Sequence, residues 1–302
     1  MSIRIKFRRK FDFAQLPSDQ KLFRCSVDWN GDPLLLLQEG KPAQPAFDAP
    51  MEVQVAWRRI PPKAHHVIHW EGTSQRTVLF EKSESRVSFY VQRLADGWIL
   101  CDARGGRAGI YNPQGNLQRA IDVGDAIKDV QTTRDGKIWV SYFDEGVYGS
   151  TIGNQGAVCF DLLGRPIFKY FEFAERLGLP FIDDCYAMNV LGEDEVWLSY
   201  YSDFPLVAIR AFNLHNVWKE FGCMAGSFGI YEGAVIFPKC YTRIGGDGAQ
   251  LLRRTLSLTP QTESVEAVDD DGRTIDGWFQ VAARNSQFYL WTDTALYQMT
   301  SV

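Results

Sequence analysis

The sequence predicts an all-β fold built from repeated four-stranded units, and three observations carry that prediction. A polar turn leading into a Trp-centred apolar strand recurs as Asp96-Gly97-Trp98-Ile99-Leu100, Asp135-Gly136-Lys137-Ile138-Trp139-Val140 and Glu193-Asp194-Glu195-Val196-Trp197-Leu198. Each is followed by a strand closing on its own turn, as in Gly109-Ile110-Tyr111-Asn112-Pro113-Gln114-Gly115 and Val158-Cys159-Phe160-Asp161-Leu162-Leu163-Gly164. Aromatic residues make up 14% of the chain, and they favour strands.

Counting the apolar second strand of each unit gives six units of about 50 residues, the size of propeller blades. The expected fold is therefore a six-bladed β-propeller with four-stranded blades, forming a single domain over residues 1–302. Unit one has strands at 21–27, 34–38, 66–70 and 77–81. Unit two has them at 87–92, 98–102, 108–111 and 117–122. Unit three places them at 129–133, 137–143, 157–160 and 166–173, and unit four at 185–191, 196–201, 206–212 and 217–221. Unit five reads 227–231, 234–240, 250–258 and 263–268. Unit six offers only 279–283, 288–292 and 295–299. Its missing outer strand is supplied by Ile3-Arg4-Ile5-Lys6-Phe7, which alternates apolar and basic at period 2 and so closes the ring. Two stretches interrupt the rhythm. Residues 41–64 are Pro-rich around the alternating run Met51 to Trp57 and read as a hairpin inserted in the first blade. Residues 173–178 read as one helical turn stopped by Gly178.

The phrase Asp135-Gly136-Lys137-Ile138-Trp139-Val140, with Gly146-Val147-Tyr148 after it, resembles the repeats of NHL-type and sensor-type β-propellers. The resemblance covers nearly the whole chain and implies a scaffold, with ligands expected on the face where the fourth-to-first and second-to-third loops meet.

A net charge of -5 argues against a broad nucleic-acid footprint. No apolar run approaches the roughly 18 residues that span a bilayer, and residues 1–13 have no apolar core of a secretory signal. The cysteines Cys25, Cys101, Cys159, Cys185, Cys223 and Cys240 are scattered and form no C-x-x-C pair, which suits a reducing cytoplasm.

Five units end their second strand on a carboxylate: Glu39, Asp102, Asp144, Asp203 and Asp293, with Lys239 in unit five. Asp129, Asp183, Asp184 and Asp276 lead into inner strands. These would converge on one mouth. Such a mouth suits either a hard cation such as Ca²⁺ or a basic partner, although a turn-rich fold also places Asp at strand ends unaided. Arg86, Arg104, Arg107, Lys128 and Lys239 project to the same face and would pair with some of them. His65 and His69 share a strand face and form a weak candidate for a transition metal. Tyr142, Phe143, Tyr200, Tyr201 and Trp291 lie near the same strand ends, and Trp57 lies in the insertion. Tyr201 and Trp57 are the candidate contact aromatics. The Asp box of sialidases fails on spacing, and no Gly-x-Ser-x-Gly elbow or phosphate-binding loop is present. The leading reading is a soluble binding module that takes another protein or a small ligand without a cofactor. The alternative is a divalent-cation-dependent hydrolase or lyase with its site at the acidic mouth.

Overall fold

The computed structural model describes residues 3–40, 49–60, 62–80, 89–223, 225–239, 250–257, 259–275, 277 and 279–300, with only the backbone described at 57–59 and 89. Its strands are short because turn residues interrupt the chain at regular intervals. A recurring device sets many of the hairpins and turns. An Asp or Asn stands three residues before a glycine and accepts backbone hydrogen bonds from the residues two and four ahead. Asn112 accepts from Gln114 N (3.0 Å) and Asn116 N (2.9 Å), Asp161 from Leu163 and Arg165 (2.9 Å each), and Asp269 from Asp271 and Arg273. The glycine closing the loop needs a left-handed backbone. Gly115 has φ +85°, and a Cβ there would lie 2.1 Å from the Leu79 carbonyl oxygen.

These hairpins build meandering antiparallel sheets. The first comprises β2 (Gln20–Val27), β3 (Pro33–Glu39), β4 (Ala64–Glu71) and β5 (Ser74–Phe80). The second comprises β6 (Phe89–Leu94), β7 (Gly97–Asp102), β8 (Arg107–Tyr111) and β9 (Leu117–Asp122). The third is β10 (Ile127–Thr132), β11 (Ile138–Tyr142), β12 (Ala157–Phe160) and β13 (Pro166–Lys169). The fourth is β14 (Asp184–Val190), β15 (Glu195–Tyr201), β16 (Leu206–Arg210) and β17 (Asn213–Trp218). The remaining strands form one eight-stranded sheet. It contains β18 (Gly229–Tyr231), β19 (Ala234–Pro238), β20 (Gln250–Thr255), β21 (Thr262–Val268), β22 (Gln280–Arg284), β23 (Gln287–Trp291) and β24 (Ala295–Met299).

The eighth strand, β1 (Ile3–Asp12), joins the halves of that sheet. Its second half pairs antiparallel with β24, from Phe7 opposite Met299 to Asp12 opposite Ala295, so the segment beside the last unit is 7–12 rather than the expected 3–7. Its first half pairs parallel with β21, Ile3 opposite Val265 through Lys6 opposite Val268. Ile5 and Phe7 are wholly buried, whereas Arg4, Arg8 and Arg9 are exposed.

Apolar side chains pack between successive sheets. Phe80 of the first sheet meets Trp98 (5.9 Å) and Tyr111 (5.2 Å) of the second edge-on. Trp139 meets Phe168 and Phe212 at the third-to-fourth junction, and Phe11, Trp70 and Tyr289 join the first sheet to β22–β24. Around the inner strands runs a belt of buried and half-buried polar side chains. Ser26, Gln92, Gln131 and Asn189 occupy one register position, opposite Leu34, Ile99, Trp139 and Trp197. Each bonds to the neighbouring inner strand or its approach. Ser26 donates to the Val91 carbonyl (2.9 Å) and Gln92 to that of Val27 (3.3 Å). Gln131 donates to Met188 O and accepts from Val190 N (2.8 Å each). Asn189 donates to Phe228 O and accepts from Asn285 N (2.7 Å each). Arg284, buried at the end of β22, reaches the carbonyls of Val190 and Thr132.

The insertion differs from the expected hairpin. Met51–Arg59 forms helix α1. β3 and β4 pair directly with each other, from Leu34–His69 to Glu39–Ala64, so a strand there would find no edge between them. Local signals favour a helix: Pro50 opens it by accepting from Val53 N and Gln54 N, Glu52 sits in the first turn, and Pro61-Pro62 bar its continuation. The expected helical turn is present as α3 (Tyr170–Leu177), which begins earlier than the sequence suggests and shortens β13; Gly178 closes it at φ 65°, ψ 33°.

Candidate binding mouth

Three connections meet beside the third and fourth sheets: β11 to β12, the approach to β14, and β15 to β16. The first carries a one-turn helix, α2 (Asp144–Val147), followed by Tyr148. Tyr148 is 73% exposed, and its hydroxyl donates to the Asp183 carboxylate (2.5 Å), which holds that hydroxyl above its ordinary pKa. Asp183 N in turn donates to the Tyr201 carbonyl (2.7 Å). Tyr201 is 46% exposed and meets Phe204 edge-on at 5.3 Å, and Phe204 stacks on Tyr186 at 6.0 Å.

Asp184 faces Tyr201 across the β14–β15 ladder. Its inner carboxylate oxygen Oδ1 is buried and accepts no hydrogen bond among the described residues. Burial raises its pKa; Lys128 opposes the rise, while Asp144 and Glu145 add to it. Lys128 reaches this place because the register slips between Ile127 and Asp129, a bulge that re-aims the side chain. The same slip occurs around Tyr186 in β14. The Lys128 ammonium lies 4.7 Å from the Phe143 ring centre, and burial lowers its pKa against the pull of Asp184.

The structure therefore places Asp144, Asp183, Asp184 and Tyr201 near one another. Asp129 is drawn inward: burial raises its carboxyl, which Gln131 Nε2 (3.0 Å) and Val130 N (2.8 Å) hold by hydrogen bonds. Asp102 stands on the second sheet and accepts from Arg104 N (3.0 Å), while Arg104 bridges to Glu145 (3.1 Å). Asp203 is exposed with φ 62°, just beyond Tyr201. Asp276 and Arg86 lie outside the described residues, as does the Trp57 side chain. Lys239 is taken up by Gln250 (3.1 Å). Three expected surface aromatics are instead core: Tyr142 and Tyr200 are fully buried and Trp291 nearly so. His65 and His69 are buried, with His69 edge-on to Trp98, and His66 pairs with Glu39 (2.8 Å). Among the described residues no three His, Cys, Asp or Glu side chains come together to hold a metal.

Sequence reading misses Tyr148, Glu145, Tyr186 and Phe204. Gly146-Val147-Tyr148 reads as repeat consensus, and nothing local distinguishes Tyr148 from a blade-packing aromatic. Asp184 offers a direct test. Asp184→Asn is expected to raise the unfolding free energy at pH 7 by about 1 kcal/mol, since it removes a partly buried negative charge whose inner oxygen has no donor among the described residues and which Asp144 and Glu145 repel. The native carboxyl keeps its proton to higher pH than the unfolded one. The gain is therefore present above the folded-state pKa and vanishes as pH falls below the unfolded value of about 4. Urea midpoints at the two pH values check this, and a loss of stability at pH 7 refutes it.

The repeated sheets and their inter-sheet cores define a propeller repeat protein, and comparison with solved structures agrees. The selenomethionine-substituted virginiamycin B lyase from Staphylococcus aureus superposes with a TM-score of 0.50 at 9% identity, over 95% of this chain and 83% of that one. A streptogramin B lyase structure gives 0.50 at 9% identity over 96% of each chain. At such identity the likeness is one of fold. A model described as the YxzG family matches residues 157–299. No curated protein matches the sequence. No helix among the described residues is long and apolar enough to cross a membrane.

Proposed function

We propose that the chain is a six-bladed propeller, a single domain over residues 1–302, that acts as a binding module through its loop face, in the cytoplasm and without a cofactor. The blade count takes β18–β21 as one blade and β22–β24 with β1 as the next. It is supported by apolar clusters between every successive pair of blades, including the last and the first. The observation that carries the binding reading is the exposure of Tyr148 and Tyr201 at the mouth. Tyr142 and Tyr200, which lie close by in sequence, are wholly buried. Aromatic rings left in water around polar groups are what recognition surfaces are made of.

The alternative, a divalent-cation-dependent hydrolase or lyase, needs three carboxylates converging on one point. The described carboxylates instead make separate contacts with a helix start, a tyrosine hydroxyl and backbone amides, and Asp184 only feels the charge of Lys128. The binding reading is tested by placing a photo-crosslinking phenylalanine analogue at Tyr148 or Tyr201 in the native cell, with Leu117 on β9 as an exposed control. Discrete adducts, seen by gel or intact mass, are expected at the first two positions alone. Their absence, or equal labelling at Leu117, overturns the reading.

A further inference from the structure

We infer that the mouth takes a basic segment of a protein partner, with an arginine side chain seated between Tyr148, Tyr201 and the carboxylates around them. This rests on the binding-module reading and adds the chemistry of what is bound. Three independent features point to it.

The first is charge. Asp144, Glu145, Asp183, Asp184 and Asp203 lie on or beside the patch. Against them stand Arg104, already bridged to Glu145, and Lys128, drawn over the Phe143 ring. The second is an unmet acceptor. The buried Oδ1 of Asp184 has no donor among the described residues, and Lys128 makes no ion pair with it there. A buried acceptor without a donor is costly, and a donor brought close by a ligand would relieve that cost. The third is the aromatic surface. Tyr148 and Tyr201 expose rings beside those carboxylates, and Phe204 with Tyr186 backs Tyr201.

Carboxylates next to open aromatic faces suit a cation that can both stack and donate. The guanidinium group does both, with five donors in a plane, whereas an ammonium is a compact and more strongly hydrated point charge. An acidic segment would meet repulsion, and an uncharged one would leave the Asp184 oxygen without a charged donor. Much of the carboxylate field is at the rim, so it contributes steering and selectivity, and its effect falls with added salt.

The test uses the whole chain and fluorescence anisotropy with three labelled peptides of equal length: Arg-rich, Glu-rich, and uncharged Ser/Gly. The Arg-rich peptide is expected to bind, to weaken at high salt, and to bind about tenfold more weakly to Asp183→Asn and to Tyr201→Ala. Tyr201 is exposed and Asp183 half-buried, and circular dichroism confirms that the variants are folded. A Lys-rich peptide is expected to bind more weakly than the Arg-rich one. If the Glu-rich or uncharged peptide binds as well as the Arg-rich one, the inference fails. It fails too if no peptide binds while crosslinking at Tyr201 still captures a mouth ligand; in both cases the binding-module reading stands. If no peptide binds and no adduct forms, both fall.

Discussion

Phe7→Ala is expected to destabilise the protein by about 3–5 kcal/mol, and removal of residues 3–12 to abolish the cooperative fold. Phe7 is wholly buried and meets Phe288 edge-on at 6.2 Å, in a cluster with Ile5, Leu251 and Val265. Truncating a buried Phe loses its transfer energy and leaves a cavity, which together give that magnitude. Deleting the strand removes Ile5 and Phe11 as well, and it strips the hydrogen-bonding partners from both β21 and β24. That sum is comparable with the whole stability of an ordinary domain, about 5–15 kcal/mol. It also leaves two unpaired edges open to intermolecular pairing. Urea denaturation of Phe7→Ala reads the first effect as a lower midpoint at unchanged slope. Arg8→Ala, at an exposed position of the same strand, is the control and should stay within about 0.5 kcal/mol. A Phe7→Ala loss below about 1 kcal/mol would mean that the strand does not hold the last sheet to its neighbour.

Asn189→Leu is expected to cost about 2–4 kcal/mol although the two side chains branch alike and carry the same number of heavy atoms. The Asn189 carboxamide is fully buried, donates to Phe228 O and accepts from Asn285 N, both at 2.7 Å. Leucine gains apolar contact but leaves a buried carbonyl without its donor and an amide without its acceptor, each worth about 1–3 kcal/mol. An apolar replacement inside an apolar core is usually mild, so a large loss would show that the polar belt couples neighbouring sheets. Chemical denaturation measures it, and a change under about 0.5 kcal/mol would reduce the belt to a local feature.

How far the sequence revealed this depends on which physical signal was involved. The repeat units were legible because turn chemistry and strand alternation reinforce one another, as in Asn112 to Asn116 after the strand of Gly109 and Tyr111. That an N-terminal strand lies beside β24 was legible from the short sixth unit, but the alternating residues 3–6 pair with β21 and it is residues 7–12 that meet β24. The parallel pairing with β21 was not legible, because alternation tells which face is buried and nothing about how many neighbours a strand has. Met51 to Trp57 misleads because apolar residues at every second position satisfy a strand template, while the stronger signals at its ends, Pro50, Glu52 and Pro61-Pro62, favour a helix.

At the mouth, strand-end placement brought out Asp144, Asp183 and Asp184. Neighbouring aromatics were harder to sort. Tyr200 and Tyr201 point to opposite sides of one strand, and only the observed register shows that the first is core. The belt residues were invisible for a related reason. Gln131 and Asn189 sit where a sequence pattern expects a solvent-facing polar residue, yet the neighbouring sheet covers them.

The cysteines give the molecule an internal set of reporters. Cys25, Cys101, Cys159 and Cys185 each lie in a different sheet, the first to the fourth in order, and Cys223 lies on the approach to β18. All five are reduced and buried, and burial pushes the thiols of the first four upward, that of Cys185 to about 12. A thiolate is the reactive form, so alkylating reagents can reach these positions only when the surrounding structure opens. The rate at which each cysteine is modified thus measures how often its own part of the ring breathes, with no label or mutation introduced.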